Sequence, residues 1–144
     1  MEHSDHPPRE IEIVDFLAQL FKSAGFATAD SPKTPNQSER RADLAVWIDD
    51  LPPMLGKPLI IEVKRNVRDF RGGADHLRTF LAKTDSQLGL LIYWGERTDV
   101  VRPAISDWPL VLRLSVREVF DLVRTGTFAS RILSLRNQAI HGLR

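Results

Sequence analysis

Two acidic residues and a lysine stand where charge is least welcome in this chain. Asp43 opens the apolar stretch Leu44-Ala45-Val46-Trp47-Ile48, and Glu62 and Lys64 close the run that begins Pro58-Leu59-Ile60-Ile61. A carboxylate or an ammonium at the end of a buried strand loses solvation free energy, so such groups are usually kept there for chemistry. Glu62 and Lys64 are two apart, which on a strand puts both side chains on one face. Asp43, on the neighbouring strand, can point to the same place. Two carboxylates from adjacent strands suit a hard divalent cation such as Mg²⁺ or Mn²⁺, with room left for waters and a phosphate oxygen. Such an ion polarises the phosphate and lowers the pKa of a bound water. Lys64 would position that water or help to deprotonate it, and would offset the negative charge that develops. The backbone carbonyl of Val63 is a further candidate ligand. The chemistry these residues suit is metal-assisted hydrolysis of a phosphodiester bond.

The elements that must position them follow from the apolar pattern. Residues 1–8 read as a disordered tail. From Arg9 to Ala24, the residues Ile13, Phe16, Leu17, Leu20 and Phe21 recur at helical spacing, and Gly25 is a plausible stop. Residues 27–41 carry two prolines and read as a loop, with room for a short edge strand at its start. Residues 43–49 and 58–65 read as strands, joined through Pro52-Pro53 and Gly56 as a hairpin. Gly72-Gly73 punctuates the chain, and Ala74 to Lys83 forms a helix with Leu77, Phe80 and Leu81 on one face. Leu88 to Trp94 is an apolar run broken only by Gly89, the pattern of a central strand. After a loop over 95–109, Leu110 to Leu114 gives a further strand. Ser115 and Glu118 then form a capping box for a helix that ends near Arg124, before Gly126. A last helix covers Phe128 to Ile140. The order predicts an α/β sandwich around one mixed sheet. Residues 9–125 form its domain, and 126–144 are a C-terminal helix at which a following domain could begin.

In this context Ala42-Asp43 and Glu62-Val63-Lys64 resemble the core signature of the PD-(D/E)xK nuclease superfamily, an acid on one hairpin strand and a Glu-x-Lys ending the next. The opening helix, ending Ser23-Ala24-Gly25-Phe26, and the run Leu59 to Arg65 look most like the Mrr-like and Holliday-junction-resolvase-like branches. The resemblance spans roughly residues 9 to 124. It implies a restriction-endonuclease-like fold, a three-layer sandwich with a mixed central sheet flanked by helices. It also implies Mg²⁺ (or Mn²⁺) held by Asp43 and Glu62, a catalytic Lys64, and cleavage of nucleic acid, DNA favoured over RNA. Relatives often cut as dimers, which leaves a homodimer open. Three departures stand out. Ala42 replaces the proline of the pattern. The branches carry a metal-supporting glutamate on the first helix, for which Glu12 is the first candidate and Glu10 and Asp15 are alternatives. Their glutamine on the helix after the lysine has no match, and Asp75-His76 occupies that region.

Composition bounds these readings. The 144 residues suffice for one compact core, there are no cysteines for disulfides or thiolate ligands, and net charge is only +1. No apolar run is long enough to span a bilayer, and the polar start of the chain is not a secretory signal, so a cytoplasmic protein without a membrane partner is expected. Charge is concentrated locally: Arg40-Arg41 before the first strand of the hairpin, then Lys64, Arg65, Arg68 and Arg71 after the second. Arg41, Arg65, Arg68 and Arg71 are the candidate contacts to a phosphate backbone, with His76 beside them. A solvated surface is the plain alternative for the basic clusters, and solvent exposure that for His3 and His6. Trp47, Trp94 and Trp108 could stack on bases, but Trp47 and Trp94 lie in apparent strands and are more simply packing. Arg136 and His141 match the Arg-x4-His motif of HEPN-type ribonucleases. A complete HEPN bundle does not fit after residue 125, so the match is chance or marks the start of a further domain. The competing function is an inactive nuclease-like module that only binds or senses, attached to a larger defence or signalling protein.

Overall fold

The computed structural model describes residues 8–30, 43–52, 58–65, 70–84, 87–94 and 109–141. In chain order the elements are α1 (Glu10–Ser23), β1 (Ala27–Asp30), β2 (Leu44–Trp47), β3 (Leu59–Lys64), α2 (Phe70–Lys83), β4 (Leu88–Tyr93), β5 (Leu110–Ser115), α3 (Val116–Arg124) and α4 (Phe128–His141). The strands form one mixed five-stranded sheet in the order β1-β2-β3-β4-β5. β1, β2 and β3 pair antiparallel, and β3, β4 and β5 run parallel. The edge strand allowed for at the start of 27–41 is β1, and the rest of that loop, the connection 53–57 and the loop 95–108 lie outside the described residues.

Strand alternation divides the core in two. Leu44, Val46, Leu59, Ile61, Val63, Leu90, Ile92, Leu112 and Leu114 face a cluster built with α1, α3 and α4. The opposite parity, Ile60, Leu91 and Val111, packs against Ala74, Leu77 and Leu81 of α2. The fold is therefore α/β with helices on both faces of the sheet, as the element order predicts.

The helices on the first face end where the sequence says they should. Gly25 and Gly126 have positive φ (94° and 76°), and each closes a Schellman turn. Phe26 N–H donates to the Phe21 carbonyl at 3.0 Å, and Thr127 N–H donates to the Leu122 carbonyl at 2.9 Å. Ser115 caps α3 as expected: its Oγ accepts from Glu118 N–H at 3.1 Å while Glu118 Oε1 accepts from Ser115 N–H at 2.8 Å. The core does not stop at residue 125. Phe128 and Ile132 of α4 are fully buried, and the Phe128 ring meets Phe21 edge-on at 5.2 Å. Pro8, assigned to the tail, is buried too, while residues 1–7 lie outside the described residues. Among the described residues no helix is long and apolar enough to cross a membrane.

α2 starts at Phe70, four residues before the expected Ala74, and takes Gly72-Gly73 into its first turns. Glycine in a helix interior costs about 1 kcal/mol relative to alanine. Docking of the helix on the sheet overrides that local preference. The docking is close: a Cβ at Gly89 would lie 2.8 Å from Leu81 Cδ1 and 3.0 Å from Leu77 Cδ2. Gly89→Ala should therefore lower stability by about 1–3 kcal/mol, through overpacking of this seam. Denaturant unfolding checks it, and an unchanged midpoint would contradict the contact.

Candidate active site

β3 has α2 on one face and the larger helix layer on the other, so five of its six residues are buried. One of these is charged: Glu62 is 2% exposed. Its parity places it, with Lys64, on the α2 face. Along that face the sheet changes character. The row Ile60, Gly89, Val111 is apolar, the next is Glu62, Leu91, Arg113, and the last is Lys64, Tyr93, Ser115. The polar rows lie at the carboxyl ends of the parallel strands, where open α/β sheets bind ligands.

Asp43 reaches this end from β2. Paired register between β2 and β3 ends at Leu44–Ile61. Beyond it, Asp43 N–H donates to the Ile61 carbonyl at 2.9 Å, and the Asp43 side chain takes over from the backbone ladder, its Oδ2 accepting from Val63 N–H at 2.8 Å. In an extended strand the N–H and carbonyl of one residue face the same edge, so the Val63 carbonyl also lies on the Asp43 side. Lys64 Nζ is 3.6 Å from Glu62 Oε2, with its side chain 13% exposed. His76 Nδ1, on α2, is 3.3 Å from the same oxygen. Burial pushes the Glu62 carboxyl above its ordinary range and the charge of Asp43 adds to this, while His76 and Lys64 pull the other way.

The structure thus brings Asp43, Glu62, Lys64 and His76 together. His76, expected beside the phosphate contacts, is turned inward to Glu62, and its Nε2 is buried without a hydrogen-bond partner among the described residues. Glu12, the first choice for an auxiliary acid, is exposed and engages Arg9 with both oxygens, accepting from Arg9 N–H at 2.8 Å and pairing with its guanidinium at 3.6 Å. The backbone bond from Arg9 chiefly holds its carboxyl below the usual range. The α1 acid that meets the end of β3 is Glu10, whose Oε2 accepts from Arg65 N–H at 3.4 Å. Arg65 is exposed there. Arg41, Arg68 and the side chain of Arg71 lie outside the described residues, as does the side chain of His141. Arg113 was not a sequence candidate, although one charge inside Leu110-Val111-Leu112-Arg113-Leu114 is the same signal that marks Glu62. Trp47 is exposed, and Trp94 is partly buried against the larger core.

Among the described residues no three His, Asp or Glu side chains gather into a metal-binding group. Among the described residues, the carboxylates that this end of β3 offers a cation are Asp43 and Glu62. That set fits Mg²⁺ or Mn²⁺: such ions are often held by one or two protein carboxylates, with water and substrate oxygens completing the shell. The like charge of Asp43 beside a buried Glu62 is also the strain a divalent ion would relieve.

No family model matches the chain, and no similar curated protein or solved structure was found.

The raised pKa of Glu62 has a testable consequence for the metal-free protein. The folded value lies above the unfolded one, so between them the native state binds more protons and stability falls as pH rises. The loss starts near the ordinary value of 4.5 and is complete above the raised one. Glu62→Gln removes it. The stability of Glu62→Gln relative to wild type should therefore increase as pH rises from about 4. Urea unfolding in the presence of a chelator, repeated across pH, reads this directly, and a pH-independent difference would refute it.

Proposed function

We propose that the chain is a metal-dependent nuclease of restriction-endonuclease-like fold that hydrolyses phosphodiester bonds, with DNA as its substrate. The observation that carries this reading is the buried Glu62, set between Asp43 and Lys64 at the carboxyl end of β3. The sheet with its antiparallel hairpin and parallel half supports the fold, and the strand-ending Glu-x-Lys supports the activity.

Asp43 and Glu62 would hold Mg²⁺ or Mn²⁺, with the Val63 carbonyl on the same strand edge. When bound, the ion supplies Lewis-acid polarisation of the phosphate and acidifies a water. The rest falls to side chains. Asp43 is fixed by the Val63 N–H, so its position is set by the backbone of the strand that carries Glu62. Lys64 is mostly shielded from solvent, which strengthens its field at a phosphate oxygen. Its ammonium orients the attacking water and offsets charge on the pentacovalent phosphate. Arg65, exposed just past the strand, would contact the nucleic-acid backbone.

Lys64→Ala should abolish metal-dependent nicking of supercoiled plasmid, lowering the rate by roughly 10²–10⁴-fold, while leaving Mn²⁺ and DNA binding largely intact. Asp43→Ala should lose both cleavage and metal binding. Full activity in Lys64→Ala would sink the mechanism. A wild type that binds DNA but neither binds the metal nor cuts plasmid, RNA or branched DNA would favour the inactive binding module.

A further inference from the structure

His76 sits in the second turn of α2, on the side that faces β3. Ala74 and Leu77, its neighbours on the helix, are 4% and 0% exposed and seat that turn on the sheet. Its Nδ1 is 3.3 Å from Glu62 Oε2, and its Nε2 is buried with no hydrogen-bond partner among the described residues. With Nε2 covered, the ring presents no nitrogen to a phosphate. Nδ1 is the nitrogen that faces an acceptor, so in a neutral ring the proton sits there and is donated to Glu62. Lys64 Nζ approaches the same oxygen at 3.6 Å. One oxygen of Glu62 is therefore held from α2 and from its own strand. Ligating carboxylates depend on such partners, because a ligand that rotates freely pays the ordering cost each time it binds.

We propose that His76 is a positioning residue, whose Nδ1–H bond holds the Glu62 carboxylate in the orientation in which, with Asp43, it takes up a divalent cation. This inference rests on the nuclease reading of Asp43, Glu62 and Lys64. It assigns His76 no contact with substrate.

The test is Mn²⁺ binding to the full chain, followed by calorimetry and by loss of the free-ion electron paramagnetic resonance signal. Wild type is compared with His76→Ala, His76→Asn and His76→Gln. The asparagine amide nitrogen lies as many bonds from the backbone as Nδ1, whereas the glutamine amide lies one bond farther, near the place of Nε2. His76→Ala should weaken Mn²⁺ binding by roughly tenfold to a hundredfold. His76→Asn should recover most of that loss, and His76→Gln should not. Thermal unfolding of each variant is read alongside, since a merely structural role would not separate Asn from Gln in affinity. If His76→Ala fails to fold, the Asn and Gln pair decides. Equal affinity in wild type and His76→Ala, or equal weakness in Asn and Gln, would overturn the proposal. If binding is still lost in Asp43→Ala, the nuclease reading survives that result. A wild type that binds no Mn²⁺ overturns the nuclease reading and this inference with it.

Discussion

A carboxylate that is 2% exposed must be solvated by protein. Most of the architecture around β3 can be read from that constraint. Helices cover both faces of the sheet, so water is removed from the strand that carries Glu62, and polar neighbours have to replace it. His76 and Lys64 both approach the Glu62 oxygen, and Asp43 is tied to the adjacent backbone N–H of Val63. Each of these partners comes from a different part of the chain: α2, the strand itself, and the strand beside it. The arrangement is only as good as the packing that seats those elements.

α2 is seated by contacts of opposite kinds along its length. Toward its carboxyl end Leu77 and Leu81 close over Gly89, where the missing side chain lets the helix approach β4. On the flank, Arg78 Nε donates to the Pro109 carbonyl at 3.1 Å, tying the helix to the start of β5, while its Nη1 meets Asp75 one turn back on the same helix at 3.2 Å. His76 lies on the same stretch, so the rotation of the helix that satisfies Leu77 and Arg78 also sets the distance from His76 to Glu62. The grading of the α2 face from apolar to polar follows from strand registers: Glu62 is level with Leu91 and Arg113, and Lys64 with Tyr93 and Ser115.

What was legible in the sequence was local. A charge ending an apolar run marked Glu62 and Lys64 because one strand carries both the apolar pattern and its interruption. Ser115 and Glu118 were legible because their capping box uses a preferred cap residue. At α1 only half of such a box exists: Glu12 accepts from the Arg9 backbone N–H, but the arginine side chain has no acceptor with which to return the bond, and no capping preference favours it. Glu12 therefore read as available for a metal, while the structure engages it with Arg9 and sends Glu10 to the end of β3. The start of α2 was misplaced for a related reason: Gly72-Gly73 carries a local breaking signal that tertiary packing outweighs. The role of His76 was not legible at all. It depends on the rotation of a helix fourteen residues away in sequence, and that rotation is decided by Gly89 and Leu81, residues with no chemistry of their own.

The same geometry bears on whether the acid–lysine pair is only a structural salt bridge. A surface pair along the strand would leave both groups in water, and Glu62 is not in water. A buried pair kept for stability alone is a poor investment, since desolvation of the two ions consumes most of what their attraction returns. Here the balance is worse than for an isolated pair, because Asp43 adds a second negative charge beside the first. The opposing pull of His76 and Lys64 does not restore the Glu62 carboxyl to its ordinary range. The described residues therefore hold a buried carboxyl beside a second acid, in a place where solvent does little to stabilise the charge of either. A proton on Glu62 relieves such a site at the cost of a ligand, whereas a divalent cation between Asp43 and Glu62 would relieve it with both carboxylates still ionised.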